Sequence, residues 1–225
     1  MTFSLVAKDP RTGAFGMVVT SSSPAVAARC VHLRAGIGGV ASQNVTDPGL
    51  GAKILAELAS GVDAVEALAR VTGSADHIDF RQLSVVDARG NTATFSGAGT
   101  LGTHRTVEQD GAVAAGNLLS DEQVPQAIMD GYQNSTAESF ERRLLDGLAA
   151  GQAAGGEEGP VHSAGLVVVD RHDWAPTDLR VDWDDEDPIA ELARLWERWA
   201  PEKEAYRTRA IDPDLAPSYG VPGDQ

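Results

Sequence analysis

The chain opens as a strand at its second residue and folds straight back on itself. Residues 2–8 read Thr-Phe-Ser-Leu-Val-Ala-Lys, a run rich in β-favouring apolar residues. Asp9, Pro10 and Gly13 then supply turn chemistry, and residues 14–23 return as Ala-Phe-Gly-Met-Val-Val-Thr-Ser-Ser-Ser. Two apolar strands in a hairpin need a sheet around them. The hairpin also brings its polar far end, residues 20–23, beside residue 2. Strand side chains alternate between faces, so Thr2 and Ser4 share one. A cluster of Thr2 with Ser21 or Ser23 follows from that geometry.

Thr2 carries a second implication. A small residue after Met1 permits removal of the methionine, and Thr2 then presents a hydroxyl and a free α-amine together. Such an amine has a pKa of about 7.7–8.0, so near neutral pH much of it can act as a base. A hydroxyl activated by its own amine is one answer to the weakness of alcohols as nucleophiles.

The remaining elements fit an α+β chain. Strands are expected over residues 36–44, 80–87, 92–96, 111–119, 163–170 and 178–183. Helices are expected at 51–60, at 63–73 with Asp63 as cap, at 120–132 with Ser120 as cap, and at 136–148. Val65, Leu68, Ala69 and Thr72 are the expected apolar stripe of the second helix. Asp187-Pro188 starts a last helix with Ile189, Leu192, Trp196 and Trp199 on one face. Residues 149–159, rich in Gly and Ala, read as the most flexible internal loop. Hairpin-type neighbours favour mainly antiparallel sheets. One domain is expected over residues 1–211, followed by a loose acidic tail, 212–225.

Composition narrows function. The net charge of −15 argues against nucleic acid and against anionic membranes as partners. A single cysteine excludes intrachain disulfides and cysteine-ligated metal sites within the chain. No apolar run approaches the roughly 20 residues that span a bilayer, and no signal sequence is evident, so a cytoplasmic protein is expected. No phosphate-binding glycine motif precedes a helix, and the histidines lack metal-ligand spacing, so neither cofactor nor metal is expected. The acidic run 182–187 reads as a solvated turn, one member of which caps the following helix.

The polar residues ending apolar strands are the site candidates. Asn117, after Gly116, is an amide placed to meet a developing oxyanion, and with Thr2 and Ser21 it makes the catalytic set. Ser4, Ser22, Gln43, Asn44 and Ser163 are candidate substrate-binding residues. Aromatics make up only 5% of the chain, so the core must rest on Ala, Val and Leu.

Seven segments are similar to a bacterial family designated domain of unknown function 1028: residues 1–7 (MTFSLVA), 15–21 (FGMVVTS), 34–43 (RAGIGGVASQ), 47–51 (DPGLG), 116–119 (GNLL), 162–169 (HSAGLVVV) and 178–182 (DLRVD). The element order also resembles that of the N-terminal-nucleophile (Ntn) hydrolases. That resemblance implies a four-layer αββα sandwich of two mainly antiparallel sheets, hydrolysis of a C–N bond in a small molecule or peptide, and Thr2 as nucleophile. Amidase, peptidase and deaminase reactions all fit. Two alternatives stand beside it: a water-activating hydrolase with an unprocessed N-terminus, and a non-catalytic ligand-binding or assembly protein on the same fold. A homodimer or larger homo-oligomer is expected, because the Trp196/Trp199 face is large for one terminal helix.

Overall fold

The structure, a computed structural model, describes residues 2–223. Met1, whose removal the nucleophile hypothesis requires, and the last two residues of the acidic tail lie outside the described residues. The strands are β1 (Thr2–Lys8), β2 (Phe15–Ser21), β3 (Val31–Arg34), β4 (Gly38–Asn44), β5 (Arg81–Asp87), β6 (Thr92–Ser96), β7 (Arg105–Gln109), β8 (Ala112–Asn117), β9 (Ser163–Val169) and β10 (Thr177–Val181). The helices are α1 (Ala27–Cys30), α2 (Pro48–Ala59), α3 (Ala64–Thr72), α4 (Val124–Asn134), α5 (Phe140–Ala153), α6 (Pro188–Trp199) and α7 (Lys203–Ile211).

Two antiparallel sheets result, one ordered β10-β9-β2-β1-β8-β7 and the other β3-β4-β5-β6. The period-two alternation of the central strand sets the layers. Phe3, Leu5 and Ala7 of β1 face outward into a core with Ile128, Met129, Leu144 and Leu148 of α4 and α5. Val6 points the other way, into the space between the sheets, with Phe15, Met17, Val19, Ala41, Val86 and Val113. Val40, Leu83 and Val85 leave the far face of the smaller sheet to meet Leu50, Ile54, Leu68 and Val71 of α2 and α3. The order is helices, sheet, sheet, helices, which is the expected four-layer sandwich.

Close approach in the α4–α5 layer depends on missing side chains. A Cβ on Gly151 would lie 2.4 Å from Cγ1 of Ile128, and one on Gly147 would lie 2.9 Å from the Ile128 carbonyl. The pair therefore packs backbone against backbone over β1.

Several boundaries differ from expectation. α2 starts at Pro48 rather than residue 51, because the Asp47 side chain accepts from Gly49 N and caps it. In α3 the buried positions are Ala64, Ala67, Leu68 and Val71, while Val65 is exposed, so the apolar stripe sits one residue away from the expected one. Ser120 does not cap α4; its hydroxyl binds the Gly156 carbonyl, and the helix begins at Val124, beside Pro125. Ser139 caps α5, which starts at Phe140 rather than residue 136 and runs on to Ala153 through part of the expected loop. α1, β3, β7 and α7 lie outside the expected elements. β7 is a polar edge strand, and α7 docks through ion pairs of Lys203 with Glu141 and Arg207 with Asp170. Trp196 is buried in the core, and Trp199 donates from Nε1 to the Pro176 carbonyl. The tryptophan face is thus covered by the chain itself, and the reason given for a homodimer falls away. In the acidic run, Asp184 accepts from the backbone N–H of Glu186 and Asp187, and Asp187 caps α6.

Two buried aspartates tie the closed ends of the hairpins. Asp87 accepts from Arg89 N, Asn91 N, Asn91 Nδ2 and Ala64 N. Asp9 pairs with Arg143 at 2.7 Å and accepts from Thr12 Oγ1. Burial alone would raise both carboxyls, but these donors outweigh it and hold both below the ordinary value of 3.8. A depressed folded-state pKa adds stability above the unfolded value, and that stability is lost as pH falls through the folded one. Denaturant unfolding should therefore show an acid limb beginning below pH of about 4 and shallower in Asp87→Asn. Asp87→Ala, which orphans several buried donors, should lose about 2–4 kcal/mol at pH 7.

Candidate active site

Four strands of the larger sheet end in polar residues at the same level. Thr2 lies opposite Asn117, and Ser21 lies opposite Ser163. Phe3 pairs with Thr20, which brings the start of β1 to the end of β2, where Thr2 Oγ1 is 3.5 Å from Ser21 Oγ. The row across the sheet is Asn117, Thr2, Ser21, Ser163, drawn from β8, β1, β2 and β9. Parity turns all four side chains toward the space between the sheets, where Val6, Val19 and Val113 of the same strands form the apolar end. All four residues are buried.

The smaller sheet closes over this row with amides. Ser4 Oγ donates to Gln43 Oε1 at 2.7 Å, and Gln43 Nε2 donates to Gln82 Oε1 at 2.8 Å. Asn117 Nδ2 also donates to Gln82 Oε1, at 3.1 Å, and Gln82 Nε2 reaches the Gly116 carbonyl at 3.1 Å. Gln43 and Gln82 are register partners on β4 and β5. Gln82 was missed at the sequence level. Its signal was its parity: residues 82, 84 and 86 share one face of β5, and the first two are polar.

The rim continues through hydroxyls. Ser23 Oγ is 2.8 Å from Ser21 Oγ, and Arg29 Nη2 donates to Ser23 Oγ at 2.5 Å. A guanidinium thus sits two hydroxyls away from Thr2. Ser163 belongs to the row by register, but its hydroxyl donates to the Ser23 carbonyl and accepts from Val26 N, which fixes the turn after β2. Asn44 stands apart, with φ of +73°; it donates to the Phe80 carbonyl and accepts from Leu101 N, bracing a loop. Ser22 presents its backbone N–H to Glu157 Oε2 at 3.3 Å.

Glu157 is the second residue that sequence reasoning passed over. Its segment had been read as flexible loop. Instead, Gly155 and Gly156 take φ of +119° and +59° after α5, and Glu157 forms a bridge with Leu119, two residues past Asn117. Glu157 is 5% exposed, and burial pushes its carboxyl up to about 7. The paired glycines ahead of it were the readable signal.

An open cavity of about 420 Å³ lies at the other end of the sandwich, among Lys8, Arg89, Gly111, Tyr132, Ser135 and Arg143. Ser135 on its wall donates to Asp146 at 2.5 Å, while the strand-end hydroxyls and amides gather at the polar row, which is closed in this structure. Among the described residues, no group of His, Cys, Asp or Glu is arranged to hold a metal ion, and no helix is long and apolar enough to cross a membrane.

Comparisons place this architecture. A crystal structure of a Silicibacter pomeroyi protein assigned to the DUF1028 family is similar at TM-score 0.82 and 31% identity, covering 88% of this chain and 85% of that one. Two more distant similarities are to Anbu, an ancestral beta-subunit, from Yersinia bercovieri and to an Anbu Gly-1 mutant from Hyphomicrobium sp. strain MC1. Both are 10% identical, at TM-scores of 0.40 and 0.43. They cover 91% and 98% of this chain and 97% and 100% of those chains. No curated protein matches the sequence. Residues 2–192 match the model of the family of unknown function DUF1028, and the chain belongs to that family.

Proposed function

We propose that the chain hydrolyses a C–N bond of a small molecule or peptide, with Thr2 as nucleophile once Met1 has been removed. The observation that carries this reading is the row itself. A hydroxyl on the first residue of a central strand lies in register with an amide on one side and 3.5 Å from a serine hydroxyl on the other. Thr2 Oγ1 attacks the carbonyl carbon, forming a C–O bond as the carbonyl π pair moves onto oxygen. The Oγ1 proton passes to the α-amine of Thr2 and from there to the leaving nitrogen as the C–N bond breaks. Water then repeats the sequence in reverse, releasing the acid and restoring the threonine. An amide NH₂ carries two hydrogens. One of those on Asn117 is engaged by Gln82, and the other serves the oxyanion.

A second reading has its own support. Thr2 is 4% exposed, and the amide network around the row is closely bonded. On a non-catalytic ligand-binding or assembly protein the same residues would lock the two sheets together.

Thr2→Val separates the readings. As a nearly isosteric change it should abolish turnover in an amide and dipeptide screen while moving the melting temperature by only a few degrees, and Thr2→Ser should retain activity. Full turnover by Thr2→Val ends the mechanism. If Asn117 holds an oxyanion, Asn117→Ala should lower kcat by roughly 100-fold or more at little change in KM. If it serves only the network, the variant should lose about 1 kcal/mol of stability and keep its turnover per folded molecule.

A further inference from the structure

Two buried acceptors at the N-terminal end of β1 have no donor: Oδ1 of Asn117 and Oε1 of Glu157. Their placement follows from the sheet. Asn117 is the register partner of Thr2 on β8. Beyond it, the Leu118 carbonyl accepts from Glu158 N, and Leu119 bridges to Glu157. On the opposite flank Ser22, next after Ser21 on β2, donates its N–H to Glu157. The stretch around Glu157 therefore lies between the extensions of β8 and β2, in line with β1 and ahead of Thr2. An orphaned buried acceptor costs about 1–3 kcal/mol, and more when charged, so two at one spot call for a shared donor.

We infer that Glu157 and the Asn117 amide oxygen form the seat of the α-ammonium that removal of Met1 exposes on Thr2, with Glu157 as the positioning residue that holds this amine against the Thr2 hydroxyl. The inference rests on the Thr2 reading above. An α-ammonium brings three N–H donors to an end of the strand where two acceptors lack one. The carboxylate stabilises the ammonium formed when the amine takes the Oγ1 proton, and the ammonium then gives that proton to the leaving nitrogen. Nearby charges do not compete. Arg29 is engaged by Ser23 Oγ and the Pro24 carbonyl, His162 Nδ1 faces the Asp184 carbonyl, and no described cation pairs with Glu157. Burial raises the Glu157 carboxyl, and pairing with the ammonium works against that rise: the carboxyl is drawn down and the amine up.

The test uses the full chain beginning at Thr2, released from a cleavable N-terminal fusion, with ¹⁵N-threonine to follow the amine by NMR across pH. In the wild type the ammonium should deprotonate at least one pH unit higher than in Glu157→Gln. Equal values in the two proteins overturn the seat. Should Glu157→Gln fail to fold, ¹³C-labelled glutamate carboxyls give the same answer in the wild type. Glu157 should titrate at lower pH with a free Thr2 amine than with an acetylated one, and no difference overturns the proposal. Neither measurement needs a substrate. A shifted amine in a chain that cleaves no amide supports the seat and sinks the hydrolase reading; cleavage without the shift sinks the seat alone.

Discussion

The structure depends on the alternation of β1. This strand is paired on both sides and buried on both faces, so each of its residues is committed to one layer. Phe3 and Leu5 anchor the outer helices, while Thr2, Ser4 and Val6 face the second sheet. A slip of one residue would exchange these sets, placing Phe3 among the amides and Thr2 under α5. Packing of the helical layer, closure of the two sheets and alignment of the polar row are therefore one constraint. The apolar two-thirds of β1 hold its polar first turn in place.

That constraint also explains the chemistry of the row. A hydroxyl and several amides would each be solvated and mobile at a loop tip. Here Gln43 and Gln82 on the facing sheet fix them, and the low-dielectric interior strengthens every bond they make. The same enclosure raises the Glu157 carboxyl and makes an unpaired acceptor costly. Burial of Thr2 and the raised Glu157 carboxyl thus have one cause.

Much of this was legible in local pattern. The β1–β2 hairpin, the shared face of Thr2 and Ser4, the nearness of Ser21 and the strand-end position of Asn117 all follow from alternation and one turn. What was not legible is long-range register. Nothing near residue 82 says that its amide will meet Asn117, because that contact is set by the docking of two sheets. Glu157 was obscured by composition: a Gly/Ala-rich stretch reads as loop, yet two glycines at positive φ are what allow the chain to turn sharply from α5 onto the sheet. β7, Arg-Thr-Val-Glu-Gln, escaped notice because an edge strand facing water on one side needs little apolar pattern. The α3 stripe was displaced because Ala64 and Ala67, small enough to approach α2 and β5, outcompete the larger but exposed Val65.

The position of β1 sets a timetable. It is the first strand to be made, yet its second neighbour, β8, lies more than a hundred residues further along the chain, and Glu157 later still. At ribosomal rates of about 5–20 residues per second, on the order of ten seconds separate the emergence of Thr2 from that of the strand that encloses it. Until then Thr2 has only β2 beside it. Afterwards β8 pairs on its other side and Thr2 is 4% exposed. The enclosure of Thr2 is therefore timed by synthesis, and on the Thr2 reading a trimming enzyme has its easiest access while the chain is still growing.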